Sequence, residues 1–192
     1  MKRIIAKYIL KLFGWNVVNH VPPECKKFVT VMAPHTSNWD FLIGWLGYIS
    51  IGLDSKYLIK KEAFAFPLGK LVSAMGGMPV DRKASTNVVI QVGDMFKNAD
   101  KLVITIAPEG TRSLNRNWKR GFYYIALHAQ VPIVLGFLDH KTKTGGIGKM
   151  VIPTGNYETD LKEIESFYYD KEARYPDKFN LSPQNRKLIS TT

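Results

Sequence analysis

In the stretch A-P-H-T-S-N-W-D-F, His35 stands five positions before Asp40. Histidine exchanges a proton near neutral pH. A carboxylate bonded to one ring nitrogen fixes the tautomer and leaves the other nitrogen as a general base. His35 follows a β-like run and Asp40 opens an apolar segment, so the pair spans a loop-to-helix junction. With Asn38 as N-cap, Asp40 falls in the first helical turn, where the helix dipole favours a carboxylate. The chain can then fold back so that Asp40 accepts a hydrogen bond from the imidazole. Such a pair needs no protein nucleophile between base and substrate. The same residues also suit a structural role, with Asp40 starting a helix and His35 ending a strand. His20, His128 and His140 have no ligand-like spacing to His35, which speaks against a metal site.

A second block, A-P-E-G-T-R-S from Ala107 to Ser113, follows the run K-L-V-I-T-I-A. Gly110 admits close approach of a ligand, and Arg112 carries a planar fork of donors suited to phosphate or carboxylate. Glu109 ends a strand, where it either meets a ligand or anchors Arg112. A third block, G-G-M-P-V-D-R-K from Gly76 to Lys83, leads into the charged tip Asp81-Arg82-Lys83. In a fourth, W-K-R-G, Lys119 and Arg120 precede a helix whose free amides would favour an anion. Neither glycine cluster spells a P-loop or a dinucleotide fingerprint, which argues against nucleotide phosphoryl transfer and hydride transfer.

The elements that must position these residues alternate. Hydrophobic periodicity predicts strands over 27–32, 56–60, 78–80, 101–107, 131–138 and 149–153. It predicts helices over 39–51, 67–75, 85–97 and 121–130. A further helix runs from a capping box at Asp160 and Glu163 to about residue 170. This order implies a single α/β domain over residues 1–192, with a central, mostly parallel mixed sheet flanked by helices. His35, Asp81 and Glu109 each follow a strand, so they are expected at one crevice beyond the carboxyl ends. Residues from about 175 to 192 read as an irregular tail.

The chain has 192 residues, 45% hydrophobic and 22% charged, with a net charge of +11. This is an ordinary globular balance, with the surplus positive charge expected of a protein that meets a polyanion. Ribonucleoprotein motifs and zinc-finger spacing are absent, so nucleic acid is not expected. Cys25 is the single cysteine. No intrachain disulfide can form, a reducing compartment fits, and Cys25 reads as a bystander thiol. Residues 1–14 form an amphipathic helix with Ile4, Ile5, Tyr8, Ile9, Leu12 and Phe13 on one face. Lys2, Arg3, Lys7 and Lys11 occupy the other, and Gly14 is the stop. Its apolar face suits either a membrane interface or the protein's own core. Lys7 and Lys11 interrupt any signal-peptide core. The apolar run from Trp39 to Leu53 falls short of the roughly 20 residues of a membrane span. Membrane association is therefore expected to be peripheral.

Together the four blocks resemble the glycerolipid acyltransferase family, typified by lysophosphatidic acid acyltransferases. The matching residues are His35 with Asp40, Gly77 with Arg82, the run Pro108-Glu-Gly-Thr-Arg-Ser113, and Val131-Pro-Ile-Val134, in the family's order. The resemblance implies transfer of a fatty acyl group from a thioester, acyl-CoA or acyl-ACP, to an acceptor hydroxyl. It makes His35 the general base and Asp40 its orienter. It assigns Glu109, Gly110, Thr111 and Arg112 to acceptor binding, Arg82 to the acceptor phosphate, and Lys119, with Arg120, to nearby charge. It implies no cofactor and no metal. Ala107 departs from the family's usual aromatic, which leaves that wall of the pocket different. The expected acceptor is a phosphate-bearing lysolipid; a lyso-aminolipid or another amphiphilic alcohol would use the same pair. The expected place is the cytoplasmic face of an anionic membrane. The reading from another class is a non-catalytic basic module that docks on membranes or nucleic acid.

Overall fold

The computed structural model describes residues 1–65, 67, 69–80 and 85–182. Seven strands join one sheet: β1 (Asn16–Asn19), β2 (Lys27–Ala33), β3 (Ser55–Lys60), β4 (Gly77–Val80), β5 (Leu102–Ile106), β6 (Ile133–Asp139) and β7 (Thr144–Val151). Their spatial order is β1-β7-β6-β2-β5-β3-β4. Every pairing is parallel except β6 with β7. The mostly parallel α/β sheet read from the sequence is therefore the observed one. The helices are α1 (Lys2–Leu12), α2 (Asn38–Ile51), α3 (Gly69–Ala74), α4 (Ser85–Asn98), α5 (Gly121–Ala129) and α6 (Tyr157–Ser166). A 3-10 turn over Lys61–Phe64 precedes α3, which is shorter than the helix expected from residue 67.

Because strand side chains alternate, each strand feeds both faces of the sheet. Ile104 and Ile133 join Phe96, Phe122, Ile125 and Ile164 in the core under α4, α5 and α6. Val103 and Val134 join Leu10, Phe28, Met32 and Tyr48 under α1 and α2. Burying each such side chain contributes about 1.5–3 kcal/mol. The central strands β2 and β6 are buried along almost their whole length, as their unbroken apolar runs require.

Three further elements differ from the sequence reading. The edge strand β1 is only four residues of N-V-V-N, too short to show a pattern. β7 begins at Thr144 rather than residue 149, because Gly145, Gly146 and Gly148 hide its alternation. A Cβ at Gly146 would lie 2.0 Å from the Val18 carbonyl oxygen, and one at Gly148 2.5 Å from the Phe167 ring. Close neighbours therefore exclude side chains there. α6 starts at Tyr157 with Asn156 as N-cap. Asp160 does not cap it; its buried carboxylate accepts bonds from Tyr123 Oη at 2.7 Å, Thr154 N at 2.7 Å and Thr154 Oγ1 at 2.8 Å.

α1 packs on α2 through Ala6 and Leu10, and an Arg3 guanidinium N–H donates to the Ile51 carbonyl at the end of α2. Ile4, Ile5, Tyr8, Leu12 and Phe13 all remain exposed. The stripe offered to the protein's own core is thus not the one used; the larger apolar stripe faces outward. Among the described residues, no helix is long and apolar enough to cross a membrane.

Candidate active site

The strands β6, β2 and β5 are parallel neighbours, with Ala33 level with Phe137 and Val31 level with Ile106. Their carboxyl ends therefore deliver three loops to one edge of the sheet, carrying His140, His35 and Glu109. The His35 loop opens with a cis Ala33–Pro34 peptide and runs into α2. Ser37, not Asn38, is the N-cap: its hydroxyl accepts from Trp39 N at 2.9 Å, and Asp40 at the third helical position completes a capping box. Ser37 wins because its short hydroxyl reaches the second amide while its backbone is still extended.

Two buried carboxylates pin this loop. Asp40 Oδ2 accepts from Thr36 N at 2.7 Å and Ser37 N at 2.8 Å, and Asp40 is 2% exposed. Glu109 Oε1 accepts from His35 N at 2.9 Å, and Glu109 is likewise 2% exposed. Neither contact uses the imidazole. The expected bond from the His35 ring to Asp40 is not among Asp40's contacts; its Oδ1 instead lies 2.9 Å from His140 Nε2. Asp40 still acts on His35 through its charge. Burial lowers the His35 pKa below its ordinary value, the Asp40 carboxylate opposes that fall, and Arg112 adds to it. The ring therefore stays neutral, and able to take a proton, to lower pH than a free histidine.

His35 and Asp40 lie in the wall of a cleft of about 790 Å³. Gly110, Thr111, Arg112 and Lys119 line it as well, together with apolar side chains that include Leu58, Ile59, Val80, Val88, Val89 and Ile125. Size and lining are those of a site for an amphiphilic small molecule. α2 is apolar on every side for this reason: it meets the sheet and α1, and it offers Phe41, Gly44, Trp45 and Tyr48 to the cleft. That stripe recurs at helical spacing.

The loop from Ala107 to Lys119 is folded on itself. Lys119 N donates to Pro108 O at 2.8 Å, and Asn115 Nδ2 to Glu109 O at 2.7 Å. Gly110 has φ +66°, and a Cβ there would lie 2.6 Å from the Lys119 stem. Glycine thus lets the lysine cross the loop and reach the cleft. Arg112 donates to the Asn38 side chain, which ties this loop to the start of α2. Glu109 does not line the cleft and does not pair with Arg112; it lies behind the His35 loop as its anchor. Arg120 is also turned away: its guanidinium pairs with Glu158 at 3.1 Å and lies over the Tyr157 ring at 4.5 Å. Arg82 and Asp81 lie outside the described residues.

Part of the expected tail closes the same region. Tyr175 N donates to Thr36 Oγ1 at 3.3 Å, and Trp118 Nε1 to Asn180 O at 3.0 Å. Residues 183–192 lie outside the described residues. The contact of His140 with Asp40 has no counterpart in the sequence reading, where His140 enters only through its spacing as a metal ligand. Its place just after an apolar strand was the available signal. Among the described residues, no three His, Cys, Asp or Glu side chains are grouped to hold a metal ion.

Burial pushes the Glu109 carboxyl up from 4.5 to about 7; the His35 amide and its own amide oppose the rise, and the charge of Asp40 adds to it. Its Oε2 is buried without a hydrogen-bond partner. The folded state keeps this proton up to about pH 7, whereas the unfolded chain releases it near 4.5. The stabilisation is therefore full below 4.5 and lost as pH rises through 7. A shift of this size corresponds to about 3 kcal/mol. Glu109→Gln keeps an acceptor for His35 N and removes the titration. Relative to that of the unsubstituted protein, its urea midpoint should rise from about pH 5 to about pH 8. Parallel pH profiles for the two would rule out a protonated Glu109.

Fold and site together define an α/β protein with a pinned histidine–aspartate loop at an amphiphilic cleft. A family model described as Acyltransferase matches residues 16–134, and the chain belongs to that family. It is 29% identical over 105 residues to human 1-acyl-sn-glycerol-3-phosphate acyltransferase beta, covering 51% of this chain and 38% of the relative. It is 30% identical over 135 residues to the 1-acyl-sn-glycerol-3-phosphate acyltransferase of Cocos nucifera, covering 65% of this chain and 42% of that one. The chain thus spans less than half the length of either relative. The crystal structure of the 1-acyl-sn-glycerophosphate (LPA) acyltransferase PlsC from Thermotoga maritima shares the fold. Its TM-score is 0.57 at 17% identity, over 86% of this chain and 75% of that one.

Proposed function

We propose that this protein transfers a fatty acyl group from an acyl thioester, acyl-CoA or acyl-ACP, to the hydroxyl of a lysophospholipid such as lysophosphatidic acid. The observation that carries the reading is His35 in the wall of a cleft that also holds Arg112, Lys119 and a long apolar lining. The cations suit a phosphate head group, and the apolar wall suits an acyl chain. In the reaction His35 takes the acceptor's hydroxyl proton while the oxygen attacks the thioester carbonyl. The tetrahedral intermediate collapses, the C–S bond breaks, and the imidazolium returns the proton to the leaving thiolate. Asp40 stabilises the imidazolium between these steps. Glu109 acts here as an anchor of the base loop rather than as a ligand of the acceptor. No cofactor is required.

The exposed stripe of α1, with Lys7 and Lys11 beside it, suits peripheral attachment to the cytoplasmic face of an anionic membrane. One experiment tests acceptor and attachment together. A single acyl thioester is offered with lysophosphatidic acid, a phosphate-free lysolipid or a lyso-aminolipid, each in anionic vesicles or as a short-chain monomer, and products are read by mass spectrometry. Acylated lysophosphatidic acid is the expected main product. The pair Ile4→Ser and Leu12→Ser should slow turnover on vesicles and leave the monomeric acceptor untouched. No acylated product with any acceptor would overturn the enzymatic reading in favour of a basic docking module.

A further inference from the structure

An ionised carboxylate offers about four lone-pair positions and only accepts. Asp40 uses two on Oδ2, for Thr36 N and Ser37 N, and one on Oδ1, for His140 Nε2. The proton of that last bond therefore sits on Nε2. His140 does not line the cleft. Its side chain is 16% exposed. The ring packs against Trp15 with centroids 5.1 Å apart at 87°, and its backbone N–H is bound to Glu172 O at 2.9 Å. Two amides of the loop hold Oδ2 of this buried carboxylate. His140 takes the other oxygen, so that both ends of the carboxylate are held.

We propose that His140 is a positioning residue for the base: by holding Asp40 Oδ1 it fixes the carboxylate, and with it the negative charge that supports an imidazolium on His35. The proposal rests on the acyl-transfer reading, with His35 as the base and His140 acting only through Asp40. It places a working residue at the end of β6, beyond the span matched by the family model, which stops at residue 134.

The test compares His140→Ala and His140→Gln in the full chain, by thioester turnover with lysophosphatidic acid and by NMR titration of His35. Ala should lower kcat by about 10–100-fold, the cost known for losing an outer-shell partner of a metal ligand and carried over here by analogy, with KM little changed. Gln, whose amide can donate to Oδ1, should restore most of it. In the Ala variant the His35 midpoint should also fall, because a loosened carboxylate no longer supports the imidazolium. Unchanged kcat and an unmoved His35 midpoint in the Ala variant would overturn the proposal. So would equal losses in Ala and Gln with the midpoint unmoved, the signature of a merely structural contact. If the unsubstituted protein acylates nothing, the acyl-transfer reading fails by itself. The titration then still decides whether His140 governs the Asp40–His35 couple.

Discussion

Thiol release from an acyl thioester in the presence of lysophosphatidic acid should fall by about 10²–10⁴-fold when His35 is replaced by alanine, the usual contribution of a positioned general base. The fold should survive. His35 is tied to Glu109 through its backbone amide, and the loop is tied to Asp40 through Thr36 and Ser37. None of these bonds needs the ring, so the circular dichroism spectrum and melting curve should match those of the unsubstituted protein. The acid limb of kcat/KM should report the same ring. Because burial lowers the His35 pKa from 6.5, its midpoint should lie below that value. Full turnover in the alanine variant would remove His35 from the chemistry and leave the loop a purely structural feature.

Asp40→Asn should lower kcat by a similar factor, on the order of 10²–10⁴, while leaving the protein folded. The amide oxygen can still accept from Thr36 N and Ser37 N, so the start of α2 stays capped. The negative charge that supports an imidazolium on His35 is gone. The acid limb of kcat/KM should therefore move further down, since Asp40 is the group that raises the His35 pKa against burial. Asp40→Ala adds a folding defect. It strands two amides beneath a side chain that is 2% exposed. Each stranded amide costs about 1–3 kcal/mol, visible as a lower urea midpoint. This contrast separates the two roles that a helix-starting aspartate can have. If Asp40→Asn turned over like the unsubstituted protein, Asp40 would be a cap and nothing more.

Much of the scaffold was legible because parallel strands buried on both faces leave unbroken apolar runs. F-V-T-V-M at residues 28–32 and I-V-L-G-F-L at 133–138 are read directly as β2 and β6. β7 was legible only in part, because its glycines are explained by close neighbours at Val18 and Phe167 rather than by any local pattern. The amphipathic character of α1 was plain from its spacing. Which apolar stripe it would bury was not, because that depends on where α2 stands, and Ala6 and Leu10 fit there better than the larger side chains.

The site divides in the same way. By itself the sequence determined the chemistry on offer: an imidazole five positions before a carboxylate, and a Pro-Glu-Gly-Thr-Arg-Ser loop after a buried strand. Residue types and short spacings carry that much, since a helix start and a strand end are local events. Only the tertiary structure decided the partners. Asp40 meets His140 across a separation of 100 residues, and Glu109 meets the His35 amide across 74. Both contacts exist because β6 and β5 flank β2 in parallel, bringing three strand ends to one edge. That neighbour order is fixed by packing the whole sheet between its helices, and no local pattern in the chain records it.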